Sequence, residues 1–122
     1  MSKKTVNVAI IDDERDILTL IKSFLSRKSG YEVNLYSNPL TALSSISKDT
    51  DIILLDVMMP QINGIDLLPK LKTKYPDSKV IIMTASSTLN IVLDAQRYGA
   101  TDYIIKPFES LDDLTNKINQ IL

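Results

Sequence analysis

Asp51-Ile52-Ile53-Leu54-Leu55-Asp56-Val57-Met58-Met59-Pro60 is the stretch on which the fold turns. Its four consecutive apolar residues, Ile52 to Leu55, are too few for a helix. They read as a strand of a parallel sheet, apolar toward both faces because each face is covered. Asp56 follows at the carboxyl end of that strand, where open α/β sheets bind their ligands. A carboxylate there is costly to bury unless a cation or a hydrogen-bond donor meets it. Taken alone it reads first as a strand-end Asp turning into solvent, so the rest of the chain must supply what meets it.

Toward the amino terminus, Val6–Ile11 is a short β-branched run that reads as a first strand. It stops at Asp12-Asp13-Glu14, where a helical stripe of Ile17, Leu20, Ile21, Phe24 and Leu25 begins. Lys28 is expected in the last turn of this helix and Gly30 as its stop. Tyr31–Tyr36 alternates as a strand does. Asn38-Pro39 then starts a short helix from Leu40 to about Ser47, with Asn as the cap and Pro preset for the first turn.

Toward the carboxyl terminus, the loop Met58–Gly64 closes on the turn dipeptide Asn63-Gly64. Ile65, Leu68, Leu71, Lys72 and Tyr75 mark a third helix stopped by Pro76; Pro69 is comfortable in it only if it begins close to Asp66. Val80–Met83 reads as a strand ending at Thr84, and Ser86-Ser87 as the cap of a helix running to Tyr98 and stopping at Gly99. Asp102–Ile105 is a fifth strand ending at Lys106-Pro107. The last helix carries Leu111, Leu114, Ile118, Ile121 and Leu122 on one stripe. Strands and helices that alternate in this way predict right-handed crossovers and a five-stranded parallel sheet with helices on both faces. Residues 1–122 read as one domain with no linker, repeat or output domain.

Composition narrows the chemistry. The 14 basic and 15 acidic residues leave a net charge of −1, with no electrostatic footprint for nucleic acid. No apolar run approaches the ~20 residues that cross a bilayer, and no signal-peptide core follows Met1-Ser2-Lys3-Lys4. The absence of cysteine fits a reducing compartment, and a cytoplasmic location is expected. With no His either, any site must rest on Asp, Glu, Lys, Ser, Thr and Tyr.

In a parallel sheet all strands end at one edge. Asp12 and Asp13, Asp56, Thr84 and Lys106 therefore converge on one crevice. Each has a plainer reading: Asp12-Asp13-Glu14 could complement a helix dipole, Thr84 could be a strand residue, and Lys106 a solvated end. Their coincidence on one edge favours a site. Two like charges about 4 Å apart cost about 4 kcal/mol even at an effective dielectric of about 20. Clustered carboxylates thus call for a raised pKa or a cation. Oxygen-only ligands favour a hard ion such as Mg²⁺, with Mn²⁺ as a substitute. Acids, a hard ion, an ammonium and a hydroxyl together suit a phosphoryl group, with Asp56 as the available nucleophile.

Four segments carry a resemblance over Val6 to Leu122: Ile10-Ile11-Asp12-Asp13-Glu14, Leu54-Leu55-Asp56-Val57-Met58-Met59-Pro60, Met83-Thr84-Ala85 and Asp102-Tyr103-Ile104-Ile105-Lys106-Pro107-Phe108. The chain resembles the receiver domains of two-component response regulators. Gln61-Ile62-Asn63 departs from the pattern common in that family, away from the site positions. The resemblance implies a flavodoxin-like sheet of order 2-1-3-4-5 and a signalling switch rather than a turnover enzyme. It implies that Asp56 accepts phosphate from a sensor histidine kinase or a phosphotransfer protein. Asp13 and the backbone carbonyl of Met58 would bind Mg²⁺ directly, together with Asp56, while Asp12 holds a metal-bound water. Thr84 and Lys106 would hold phosphoryl oxygens, and Tyr103 would turn inward as the switch. The fourth helix, fifth strand and fifth helix would change on phosphorylation, toward a homodimer or an effector protein. The Lys106–Pro107 bond is expected to be cis.

Two readings from other classes share parts of this pattern. A flavodoxin-like electron carrier needs a hydroxyl- and glycine-rich phosphate loop where Asp12-Asp13-Glu14 stands. A Mg²⁺-dependent phosphatase with an aspartate nucleophile resembles Asp-x-Asp, and the second Asp is here Met58. In the receiver reading, the side chains two residues beyond Asp56 and Thr84 are best placed to orient a hydrolytic water. Those are Met58 and Ser86, which predicts slow loss of the phosphoryl group.

Overall fold

A computed structural model describes residues 5–85, 89–108 and 110–122. Five strands, β1 (Val6–Ile11), β2 (Tyr31–Tyr36), β3 (Ile52–Asp56), β4 (Lys79–Thr84) and β5 (Asp102–Ile105), form one parallel sheet in the order β2-β1-β3-β4-β5. Five helices alternate with them: α1 (Arg15–Ser26), α2 (Pro39–Ser45), α3 (Gly64–Lys74), α4 (Leu89–Arg97) and α5 (Leu111–Ile121). This is the expected architecture and strand order.

The pleat divides the core in two. Along β3, Ile52 and Leu54 join Val8, Ile10, Ile81 and Met83 in a layer closed by Leu18, Ile21 and Leu25 of α1 and Leu114 and Ile118 of α5. Ile53 and Leu55 face the other way, with Ala9, Ile11, Val80 and Ile82, under Ala42 of α2, Leu67, Leu68 and Leu71 of α3 and Ala95 of α4. Period-2 alternation alone produces this partition. Burying each such Leu or Ile contributes roughly 1.5–3 kcal/mol.

Among the boundaries that differ from the sequence reading, three have a clear local reason. α1 ends at Ser26, so Lys28 lies past its last turn and rests 5.1 Å from the Phe24 ring centroid. α2 ends at Ser45 instead of near Ser47, because Ile46 is already extended. Asn63-Gly64 is a helix start rather than a turn: the Asn63 side chain accepts the Ile65 N–H at 2.8 Å, and Gly64 opens α3. Pro69 is accordingly the sixth residue of α3 and deprives the Ile65 carbonyl of its helical donor. The Ser86-Ser87 cap expected for α4 lies outside the described residues. The Lys106–Pro107 bond is cis, as expected.

Candidate functional site

Strand register sets the site. Ile11 pairs with Leu55, Asp56 with Met83 and Thr84 with Ile105, so the strands end within a residue of one another. Parity then sorts the side chains. Asp12, Asp56 and Lys106 continue the alternation of Ile10, Leu54 and Ile104, all in the layer under α1 and α5. Thr84 continues that of Ile82, in the layer under α3 and α4.

Lys106 draws the first set together. Its Nζ donates to Asp12 Oδ2 at 2.9 Å, Glu14 Oε1 at 3.1 Å and Asp56 Oδ1 at 3.3 Å. Asp12, Asp56 and Lys106 are buried, as is Thr84 at the end of β4. The other oxygen of Asp12 accepts the Glu14 N–H at 2.9 Å, which pins the turn leading into α1. Two buried carboxylate oxygens, Asp13 Oδ1 and Asp56 Oδ2, have no hydrogen-bond partner among the described residues. Buried polar atoms are rarely left so, and each unpaired one costs roughly 1–3 kcal/mol.

Electrostatics follows from this crowding. Burial, and next the charge of Asp12, push the Asp56 carboxyl up to about 7, against the opposing pull of Lys106. For Lys106 burial acts to lower the pKa. Hydrogen bonds to Asp12 and Glu14 and the charges of Asp12 and Asp56 outweigh it, so the ammonium is held above its ordinary range.

The donor set fits a hard divalent cation. Asp12, Asp13 and Asp56 each offer a carboxylate oxygen, all within 4.8 Å of one another. The two unpaired oxygens belong to two of these three residues, which is where a cation would complete the shell. A cleft of about 290 Å³ opens onto Asp56, with Glu14, Ile17, Met58, Ala85 and Lys106 among its walls.

Tyr103 lies elsewhere. It is half-buried on the α4 side of β5, lining a separate cleft with Val92, Ala95 and Gln96, and Lys117 Nζ stands 5.4 Å from its ring centroid. Leu89 and Leu93 of α4 and Ile105 of β5 are exposed large apolar residues, so α4 carries more apolar surface than its core stripe uses. Ser86 lies outside the described residues.

Two contributors escape a reading of the sequence. Glu14 looks like a dipole residue before α1, yet it supplies one of the three carboxylates on Lys106. Gly64 looks like a turn residue, yet a Cβ there would collide with the Asp56 carbonyl oxygen. Its N–H donates to Val57 O at 2.7 Å, so the start of α3 rests directly on the end of β3. A glycine eight residues past the strand-end Asp was the available signal.

A family model described as the response regulator receiver domain matches residues 8–119. The chain is 35% identical over 116 residues to the response regulator SaeR of Staphylococcus aureus, covering 95% of this chain and 50% of that protein. It thus spans about half the length of the curated relatives it matches. Among solved structures it is similar to a CheY-like receiver domain protein of Methanospirillum hungatei, with 28% identity and a TM-score of 0.86 over 96% of this chain and 93% of that one. It is also similar to the response regulator TrrA of Thermotoga maritima, solved in complex with Mg²⁺-BeF. That match has 30% identity and a TM-score of 0.82, over 97% of this chain and 100% of that one.

Proposed function

The chain belongs to the response regulator receiver domain family, and on that premise we propose that Asp56 is its phosphoacceptor. A receiver domain is a phosphorylation-activated switch of a two-component system. The observation that carries the assignment is the buried Asp56 oxygen that has no partner among the described residues, in a carboxylate cluster with Asp12 and Asp13 and in one cleft with Lys106.

In this reading an Asp56 oxygen attacks the phosphorus of a phosphohistidine on a sensor kinase or phosphotransfer protein. The P–N bond breaks as the new P–O bond forms, and the imidazole leaves with the bond's electron pair. Lys106 already holds Asp56 and Asp12, and shifts one hydrogen bond to a phosphoryl oxygen. Thr84, at the end of the neighbouring strand, offers its hydroxyl to another. Asp12, Asp13, Asp56 and the Met58 backbone carbonyl would hold Mg²⁺, which when bound neutralises carboxylate and phosphoryl charge.

The phosphorylated state is read out through Tyr103 and the α4–β5–α5 face, with Leu89, Leu93 and Ile105 offering apolar contact to a second copy or an effector. The chain catalyses its own phosphotransfer and a slow dephosphorylation, and acts in the cytoplasm.

The test uses acetyl phosphate with Mg²⁺ and intact-mass measurement. The parent gains the mass of one phosphoryl group and Asp56→Asn does not, while chelating the metal stops the gain. A parent that gains nothing, or an Asp56→Asn variant that gains as much, overturns the assignment.

A further inference from the structure

The chain contains no cysteine, so its sulfur chemistry rests on methionine. Three methionines lie among the described residues, and the fold treats them differently. Met83 is 0% exposed, Met59 8% and Met58 69%. Methionine is ordinarily a core residue. Met58 is instead held out in water at the rim of the cleft that opens on Asp56. The backbone before it does not drift: Val57 N–H donates to Met83 O at 3.1 Å, and Val57 O accepts the Gly64 N–H at 2.7 Å. The most accessible thioether among the described residues therefore stands at a fixed place beside the acidic site.

We propose that Met58 is a site of oxidative modification by hydroperoxides, and that its sulfoxide shortens the life of a phosphoryl group on Asp56. The second half rests on Asp56 being the phosphoacceptor; the first half does not. With hydrogen peroxide as the oxidant, a lone pair of the Met58 sulfur attacks one of its oxygens. An S–O bond forms as the O–O bond breaks, sulfur is oxidised by two electrons, and the other oxygen leaves as water with both protons. The product is a sulfoxide that a thiol-dependent reductase returns to the thioether.

The consequence lies in hydrogen bonding. A thioether is a weak acceptor, so Met58 gives no hold to a water approaching Asp56. A sulfoxide oxygen is a strong acceptor on the same flexible arm, and a water held in line accelerates hydrolysis. Exposure of Met58 lets the oxygen be added without disturbing the core, whereas oxidation of Met59 or Met83 would place a polar atom inside it.

The experiment treats the folded protein with hydrogen peroxide, removes the excess with catalase, and maps sulfoxides by peptide fragmentation. Met58 oxidises first, with Met59 and Met83 still thioethers; in urea the three oxidise at comparable rates. Treated and untreated protein are then phosphorylated with acetyl phosphate and Mg²⁺, the donor is removed, and decay is followed by intact mass. Treated protein loses the phosphoryl group at least about threefold faster, consistent with water positioning as the limiting factor. Met58→Leu has the same lifetime with and without peroxide, and Met58→Gln, a carboxamide of similar reach, decays fast without it. Oxidation of Met59 or Met83 as fast as Met58 in the folded protein overturns the site. An unchanged lifetime in the treated parent overturns its consequence. If the untreated parent takes no phosphoryl group, the assignment of Asp56 falls and the consequence with it, while the methionine map still decides the site.

Discussion

The two ends of the sheet bury polar groups in opposite ways. At the amino end, Asp51 Oδ2 accepts the Asn7 N–H at 2.8 Å, and Ser78 Oγ donates to Thr50 O at 2.6 Å. Lys72 Nζ reaches across to Ser78 O at 2.8 Å and Pro76 O at 3.3 Å. Each of these donors has an acceptor, and the carboxylate is matched by a donor. At the carboxyl end, Asp12, Glu14 and Asp56 crowd one ammonium, and Asp13 Oδ1 and Asp56 Oδ2 have no partner among the described residues. One end is closed by its own hydrogen bonds; the other is complete only with something added. Stability and function have been given separate edges of the same strands, and substitutions at the two ends should behave differently.

The largest difference concerns Lys106 against Ser78. Removing one partner of a buried ion pair costs roughly 3–5 kcal/mol, because the other charge stays behind unpaired. Lys106→Met is therefore expected to lower stability by about 3 kcal/mol or more above neutral pH. Asp56 already holds its proton up to about 7, so acid relieves part of the loss. Ser78→Ala leaves the Thr50 carbonyl without its donor and is expected to cost roughly 1–3 kcal/mol at any pH, with phosphorylation unchanged. Denaturant melts of both variants at pH 6 and pH 8 measure the contrast. Equal losses for Lys106→Met at the two pH values would mean that Asp56 does not share its burden.

A more gradual effect, spread over several pH units, should appear in the parent as pH changes. The folded-state pKa of Asp56 is raised, from 3.8 to about 7. Over that window the folded chain holds a proton that the unfolded chain has released. Stability is therefore fully present below about pH 4 and falls as pH rises toward about 7, by up to about 1.4 kcal/mol per pH unit. This runs opposite to a salt-bridged carboxylate. Metal-free protein should show the decline, and Asp56→Asn should not; saturating Mg²⁺, which competes with the proton, should flatten it. A parent whose stability rises between pH 5 and 7 in chelator would show that Lys106 prevails over burial and Asp12.

The same contrast explains what could be read from residues alone. Asp12, Asp56, Thr84 and Lys106 were legible because a parallel sheet ends all its strands on one edge, a constraint that needs only the strands to be recognised. Strand order followed from the resemblance rather than from periodicity. The amino end was illegible: Asn7 and Asp51, and Thr50 and Ser78, lie 44 and 28 residues apart, and no local pattern pairs them. Glu14 was hidden for a related reason, since its partner Lys106 lies 92 residues away. Gly64 was misread because a steric requirement against the Asp56 carbonyl leaves no mark on hydrophobic pattern, and Asn63-Gly64 is a common turn. The stripe from Ile65 marked α3, but Pro69 alone could not set its start, which the Asn63 cap fixes at Gly64.

The smallest expected effect is the one most specific to the open end. Asp13 carries a buried oxygen with no partner among the described residues, and one of its carboxylate oxygens lies within 4.8 Å of oxygens of Asp12 and Asp56. Its removal leaves the two hydrogen bonds of Asp12, to Glu14 N–H and Lys106, intact. Asp13→Ala should thus relieve repulsion without opening the turn, raising metal-free stability by about 1 kcal/mol at low salt. In the parent, Mg²⁺ at about five times its Kd should add about 1 kcal/mol by binding only the folded state. The variant should lack that increment, so parent and variant converge in Mg²⁺ and separate in chelator. Thermal melts in chelator and across a Mg²⁺ titration measure both arms. A lower metal-free melting temperature in Asp13→Ala would mean that Asp13 supports the β1–α1 turn after all. A retained Mg²⁺ increment would mean that the cation is held without it, by Asp12, Asp56 and the loop after β3.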